Sequence, residues 1–166
     1  MTNETLQLAA ERTPTTIVAS GDIAVDPERV LALAYAFSDR RGEIFPAVSS
    51  RHMTVHSSGP LTADVTEGTR VGPFVMWERC TYDWSEPGRV IATVIDSNVY
   101  AWPGSAWEIT ARTSAGGSHV TMTWTRIFRK RPRGRVMGFV YRHYGKRICT
   151  KYAGEIVRNM EAQAGT

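Results

Sequence analysis

The sequence predicts an α+β fold: a curved antiparallel sheet wrapped around one long C-terminal helix, with two short helices after the first strand and an apolar cavity between sheet and helix. Three observations carry this. Short runs of alternating apolar and polar residues recur between residues 50 and 128, separated by turn residues. Beyond a basic loop the apolar spacing turns helical and stays so to about Ala162. Ahead of both, a run rich in Thr, Ile and Val leads directly into Asp26-Pro27-Glu28, a helix-start signature.

A chain of 166 residues fits one domain, expected over 15–163 behind an arm at 1–14. With 42% apolar and 22% charged residues it can build a core and present a wet surface. No stretch approaches the roughly 20 apolar residues of a membrane span. Met1 to Arg12 carries Glu4 and Glu11 and lacks the positive start and apolar centre of a secretory signal, so a cytoplasmic protein is expected.

Taken in order, Thr15 to Val25 reads as the first strand, with Gly21 marking a bulge or close approach. In the helix that follows, Asp26 can cap the first amides, Pro27 suits the first position and Glu28 faces the positive end of the dipole. Val30, Leu31, Leu33, Ala34 and Phe37 form its apolar side, and Arg40-Arg41-Gly42 turns the chain. Gly42 to Val48 holds a second short helix, broken by Pro46. Arg51 to Ser57 is a strand, and Ser58-Gly59-Pro60 opens a connection to about Gly68. Arg70 to Trp84 is a strand bent at Gly72-Pro73, with Met76, Cys80, Tyr82 and Trp84 on one parity. Arg89 to Ile95 returns after Glu86-Pro87-Gly88, and Asp96 to Gly104 is an irregular aromatic loop. Ala106 to Thr113 and Ser118 to Phe128 form a hairpin. Trp107, Ile109 and Ala111 face inward on its first strand, and Val120, Met122 and Trp124 on its second. Five or six strands result. After the loop Arg129 to Gly134, Val136, Val140, Tyr144, Ile148, Tyr152, Ile156 and Met160 recur every four residues along a helix of about 45 Å at 1.5 Å per residue, interrupted by Gly138, Gly145 and Gly154, where a strand or ligand can approach closely.

Charge is unevenly spread. Arg126 to Arg158 holds eleven Lys or Arg against Glu155 alone, a balance of +10, and the rest of the chain is −6. Such a basic third attracts polyanions or anionic ligands, or is a solvated helix face. Its aromatic residues lie mostly on the apolar stripe, whereas stacking platforms need exposed rings, so nucleic acid is set aside as a partner. Cys80 and Cys149 read as buried reduced thiols, with Lys146 and Arg147 the sequence neighbours that would activate Cys149. His52 and His56 share strand parity, but no third ligand at metal spacing accompanies them and no metal is expected. Neither a phosphate loop, a dinucleotide fingerprint nor a nucleophile elbow occurs, and no cofactor is expected.

The order of elements resembles the helix-grip fold of the START-like (SRPBCC) superfamily, which includes polyketide cyclases, Bet v 1-type proteins and lipid-transfer domains. Asp26-Pro27-Glu28-Arg29-Val30 resembles the strand-to-helix entry of bacterial members. Gly68-Thr69-Arg70 resembles the lead into their third strand, and Gly117 to Trp124 their last turn and final strand. The likeness covers about Thr15 to Ala162, and the segment Asp96 to Gly104, with Tyr100, Trp102 and Pro103, departs from it. It implies a cavity between the concave sheet and the long helix. The candidates to line it are Met76, Tyr82, Trp84, Trp107, Ile109, Met122, Trp124, Arg126, Tyr141, Tyr144 and Ile148. Pointing inward, Arg126 needs Glu78, Glu108 or an anionic ligand; near its strand end it can instead reach water along its stem.

Two functions follow. One is binding or transport of a hydrophobic small molecule such as a lipid, polyketide or isoprenoid. The other is an enzyme of cyclase, aromatase or dehydratase type using cavity Arg and Tyr groups, favoured by two or more ionisable groups converging in the cavity. A homodimer through edge strands or the long helix stays open.

Overall fold

The computed structural model describes residues 13–165, so most of the arm expected over 1–14 lies outside the described residues. Among the described residues there are seven strands: β1 (Thr15–Ile23), β2 (Thr54–Ser58), β3 (Thr62–Val71), β4 (Phe74–Asp83), β5 (Arg89–Ser97), β6 (Ala106–Ser114) and β7 (Gly117–Arg126). Three helices accompany them: α1 (Pro27–Ala34), α2 (Arg41–Ile44) and α3 (Pro132–Ala164), with a 3-10 turn at Ser50–His52. The strands form one antiparallel sheet in the order β1-β7-β6-β5-β4-β3-β2. The α+β class and the curved sheet with its long C-terminal helix are those the sequence predicts.

Alternation decides which face is buried. On β6 and β7, Trp107, Ile109, Ala111, Val120, Met122 and Trp124 all point into the core, and Trp107 sits opposite Trp124 in the ladder. Asp26 stands at the N-cap of α1 but makes no side-chain capping bond; Pro27 opens the helix, and Val30, Leu33 and Ala34 bury its inner side against the β6 region.

The structure differs from the sequence reading in several places. The connection expected from Ser58 to Gly68 is mostly strand β3, and the strand expected from Arg70 to Trp84 is the end of β3, a two-residue turn at Gly72-Pro73, and β4. On β3 the inward set is Ala63, Val65, Glu67 and Thr69, so small, acidic and polar residues hide the period. The strand expected from Arg51 begins at Thr54, and His52 lies in the 3-10 turn, which takes it off the face of His56. His56 instead hydrogen-bonds Thr66 at 2.8 Å. Gly21 marks no bulge, since β1 pairs with β7 without a shift from Thr15 to Ile23.

The apolar stripe of α3 needs the largest correction. Residues four apart advance 400° at 100° each, so a strict four-residue repeat drifts about 40° per step around the helix. Val136, Tyr144 and Ile148 therefore stand 62%, 58% and 44% exposed. Gly145, Cys149, Ala153, Ile156 and Met160 form the buried line instead. Phe139 is also exposed, so rings do stand in solvent among the basic residues, and the argument against a polyanion partner that rested on their burial does not hold. The buried line lies along β1, where a Cβ on Gly145 would come 2.6 Å from Ile17 Cδ1. No helix among the described residues is long and apolar enough to cross a membrane.

The β6–β7 turn presses on the entry to α1. A Cβ on Gly117 would stand 2.1 Å from the Ile23 carbonyl oxygen, a fixed backbone atom, whereas one on Gly21 would meet nothing within 4 Å. Gly117→Ala is expected to lower stability by more than about 2 kcal/mol. Gly21→Ala is expected to be neutral or to stabilise by about 0.5–1 kcal/mol, since strand glycine carries excess entropy. Urea denaturation of the two variants checks the pair.

Candidate functional site

A cavity of about 230 Å³ lies between α3 and the inner face of the sheet. Helix α3 rests on β1 and touches α1 and α2, which leaves the inner faces of β3, β4, β6 and β7 open beneath it. Apolar walls come from Phe45, Trp107, Met122, Trp124, Tyr152 and Ile156.

Of the residues the sequence nominated, Met76, Trp107, Met122, Trp124, Arg126, Tyr141 and Ile148 line this space. The other four do not. Tyr144 projects into solvent. Trp84 lies past the end of β4, stacked on Tyr35 at 4.6 Å, its indole N–H donating to the Pro60 carbonyl at 3.0 Å. Ile109 is packed solid within the core. Tyr82 is fully buried and belongs to a polar network beside the cavity.

That network is built on Arg41, the first residue of α2, which is wholly buried. Arg41 Nε donates to Glu67 Oε1 at 2.7 Å, Nη1 to the Ala34 carbonyl at 2.7 Å and Nη2 to Tyr82 Oη at 3.3 Å. The Tyr82 hydroxyl donates to the other Glu67 oxygen. Phe45 lies across the guanidinium at 4.0 Å, with Phe37 at 5.0 Å. Burial works against the Arg41 charge, but Glu67 and Tyr82 outweigh it and hold the guanidinium charged. Burial, then Glu67, pushes the Tyr82 phenol well above its ordinary value.

A second pair lies on the same inner surface. Arg126 is 4% exposed and donates from Nη1 and Nη2 to the two oxygens of Glu78 at 2.9 and 3.2 Å. Of the alternatives the sequence left, the inward orientation with Glu78 is the one adopted; Glu108 is instead bonded to Arg89 at 2.8 Å. The Tyr100 ring lies against the Arg126 guanidinium at 4.3 Å. Tyr100 is fixed by its loop: it bridges to Phe128, Ala101 N–H donates to Ile127 O at 2.7 Å, and Arg129 Nε donates to Tyr100 O at 3.0 Å. Burial pushes the Tyr100 phenol up to about 12 and the Tyr141 phenol higher still. Burial also raises the Glu78 carboxyl, against the pull of Arg126.

Glu67 and Glu78 are cross-strand partners in the β3–β4 ladder. The two ion pairs thus stand side by side, Arg41 arriving from α2 and Arg126 from β7. The chemistry available is a set of buried donors and carboxylates bordering an apolar space. Sequence reasoning missed Arg41, taken as a turn residue, and Glu67, taken as part of a connection. The signal that finds Glu67 is its parity with Ala63 and Val65, since an acid on an inward position demands a cation.

Both thiols are free and buried. Cys149 lines the cavity beside Tyr141, 3.7 Å away, and burial raises its pKa. Lys146 and Arg147 lie on the exposed side of α3 and give no activation. Among the described residues no group of three His, Cys, Asp or Glu is placed to hold a metal.

Arg41→Met leaves the Glu67 carboxylate buried without its cation, with an expected loss of about 3–5 kcal/mol. Adding Glu67→Leu removes the orphaned charge and is expected to recover at least half of that loss. Chemical denaturation of the single and double variants measures both.

No family model matches the sequence, and no curated protein matches it. Solved structures do match in fold. The Zhui aromatase/cyclase from Streptomyces sp. R1128 superposes with a TM-score of 0.70 at 10% identity, over 92% of this chain and 94% of that one. A START superfamily protein from Mycobacterium smegmatis gives 0.65 at 6% identity, over 90% and 97%. Major latex-like protein 151 of Panax ginseng gives 0.62 at 12% identity, over 91% and 97%. At these identities the likeness establishes a shared fold.

Proposed function

The chain has the helix-grip fold of the START-like superfamily, and on that scaffold we propose that it binds a mostly apolar small molecule in the cavity under α3. The observation that carries this is the cavity itself: about 230 Å³ walled by Trp107, Trp124, Met122 and Ile156, with polar groups such as Glu78 and Arg126 also in its lining. Concave apolar sites with a few placed polar groups are the usual form of ligand sites. The volume falls below the roughly 300 Å³ at which pockets for drug-sized molecules begin. It suits a compact ligand of two or three fused rings rather than a two-chain lipid. Apolar burial at about 25 cal/mol per Å² supplies the affinity, less the cost of association.

The same arrangement favours a second reading, an enzyme of cyclase, aromatase or dehydratase type. Its specific support is the convergence of Arg126, Glu78, Tyr100 and Tyr141 at one side of the cavity. Such groups can polarise a carbonyl and move protons without a cofactor. Incubation with a poly-β-ketone thioester separates the two readings: loss of water seen by mass spectrometry supports the enzyme, and unchanged substrate that stays bound supports the carrier.

Equilibrium dialysis against naphthalene is expected to give saturable binding of one molecule per chain. Met122→Trp fills the space with indole. Because the cavity absorbs the extra volume, stability is expected to stay within about 1–2 kcal/mol of the parent while naphthalene binding falls at least about tenfold. Bound naphthalene is also expected to slow alkylation of Cys149, which lines the cavity, more than that of Cys80, which does not. If the parent protein takes up no apolar probe, the reading is wrong.

A further inference from the structure

The outward face of α3 carries charge that the fold does not offset. From Arg129 to Lys151 the chain holds nine Lys or Arg and no Asp or Glu. Arg129 is bonded to Asp96 at 3.0 Å, and Lys151 reaches Glu155 at 3.9 Å. Arg131, Arg135, Arg142, Lys146 and Arg147 have no carboxylate within ion-pair reach among the described residues. On the sheet, by contrast, Arg79 is matched by Asp64, and Arg89 by Glu86 and Glu108. Like charges gathered on one helix repel one another, a cost that an anionic partner offsets.

Apolar side chains stand among these cations. Val136, Phe139, His143, Lys146 and Arg147 fall within an arc of about 100° on the helix, with the buried Gly145 on the opposite side. Val136 and Phe139 are exposed. The β3–β4 turn adds two more: Val71 and Phe74 are exposed, and the Arg133 guanidinium lies 4.6 Å from the centre of the Phe74 ring. Single apolar residues on a surface need no explanation, but these four share one patch with the unmatched cations.

We propose that this patch, the outward face of α3 with the β3–β4 turn, binds the surface of a lipid bilayer that contains anionic lipids. The cations would suit any polyanion, and the apolar residues make the choice. Val71 and Val136 are aliphatic and offer a nucleic acid no ring to stack on. Phe139 already has His143 against its ring at 4.2 Å, and His143 is held there by its bond to the Phe139 carbonyl, which closes that ring face to a base. A bilayer interface uses all of these groups. Val and Phe enter the boundary between headgroups and acyl chains, while Arg and Lys lay their stems along it and bring their charges to the phosphates. The face of a helix is convex, which fits a broad surface better than it cradles a strand. The chain would lie on the membrane, since no helix among the described residues is long and apolar enough to cross it. None of this depends on what the cavity holds.

Co-sedimentation of the full chain with vesicles tests the proposal. Vesicles of phosphatidylcholine with about 30% phosphatidylglycerol are expected to bind at least about tenfold tighter than phosphatidylcholine alone, an advantage that shrinks as salt is raised. Lys146→Gln with Arg147→Gln should weaken binding to the anionic vesicles at least about tenfold. Val136→Gln with Phe139→Gln leaves every charge in place and should weaken it about tenfold as well, without changing any affinity for a single-stranded oligonucleotide. Both positions are exposed, and Gln is a good helix former. Should that double variant fail to fold, Phe139→Trp decides: relative to the parent, its emission should move to shorter wavelength with anionic vesicles and stay in place with neutral ones. Equal binding to both kinds of vesicle, binding to neither, an affinity untouched by Val136→Gln with Phe139→Gln, or an unmoved Phe139→Trp emission overturns the proposal. Tighter binding of the oligonucleotide than of anionic vesicles at equal phosphate concentration also overturns it, and assigns the patch to nucleic acid. Each of these results leaves the cavity reading intact, because Val136, Phe139, Lys146 and Arg147 are not among the residues that line the cavity.

Discussion

Two glutamates facing each other on neighbouring strands set the terms for the interior. Glu67 and Glu78 are directly opposed in the β3–β4 ladder, both on the concave side. Like charges so placed destabilise a sheet unless each is matched. Each has an arginine, and the two arginines come from different elements. Arg41 is delivered by the short helix α2, and Arg126 by β7. In the sheet β7 is separated from β4 by β6 and β5, a path of about 14 Å at the usual strand spacing. Arg126 and Glu78 reach across that path over the concave face and meet at 2.9 Å. The pair thus ties β7 to β4 across the hollow.

Curvature leaves α3 with one good seat. The sheet is concave and the helix packs along β1, which leaves it apart from β3 and β4. Gly145 secures the seat by admitting Ile17 into the space a side chain would take. Past that contact the walls are aromatic and cannot collapse onto the helix without disturbing the ion pairs beneath them. Phe45 illustrates the coupling, since it covers the Arg41 guanidinium and also lines the cavity. Tyr100 does the same for Arg126. Cation and wall are held by the same rings.

How much of this is legible in the sequence depends on how each residue advertises its partner. The β6–β7 hairpin can be read from alternation alone, because most inward positions there, Trp107, Ile109, Val120, Met122 and Trp124, are large and apolar. Strand β3 cannot, because its inward set includes Ala63 and Glu67 and looks like a polar connection. Arg41 reads as a turn residue because its burial depends on partners 26 and 41 positions away, Glu67 and Tyr82. The stripe of α3 misleads for a geometric reason. A four-residue repeat resembles a helical one over two turns and leaves the buried face over four, which puts Tyr144 in water and Gly145 and Cys149 inside. Of the cavity residues, Met76, Trp107, Met122, Trp124 and Arg126 were accessible from strand parity, and Arg41 and Glu67, whose place depends on the crossing of elements, were not.

The presence of ion pairs in this interior calls for a reason beyond stability. Desolvating two arginines and two glutamates is expensive, and apolar residues of similar volume commonly serve a core as well or better. A molecule that needed only a filled interior would gain nothing from Arg126, whose Nε is left without a partner even after Glu78 is satisfied. A molecule that needed to orient a guest would gain polar groups whose positions are set before the guest arrives. Glu78 holds the guanidinium in place and cancels its charge, Tyr100 backs it, and the loop bonds of Ala101 and Arg129 hold Tyr100. Each support removes a freedom that binding would otherwise have to remove. On the proposed reading, affinity comes from the apolar walls and orientation from the polar groups the fold holds in place.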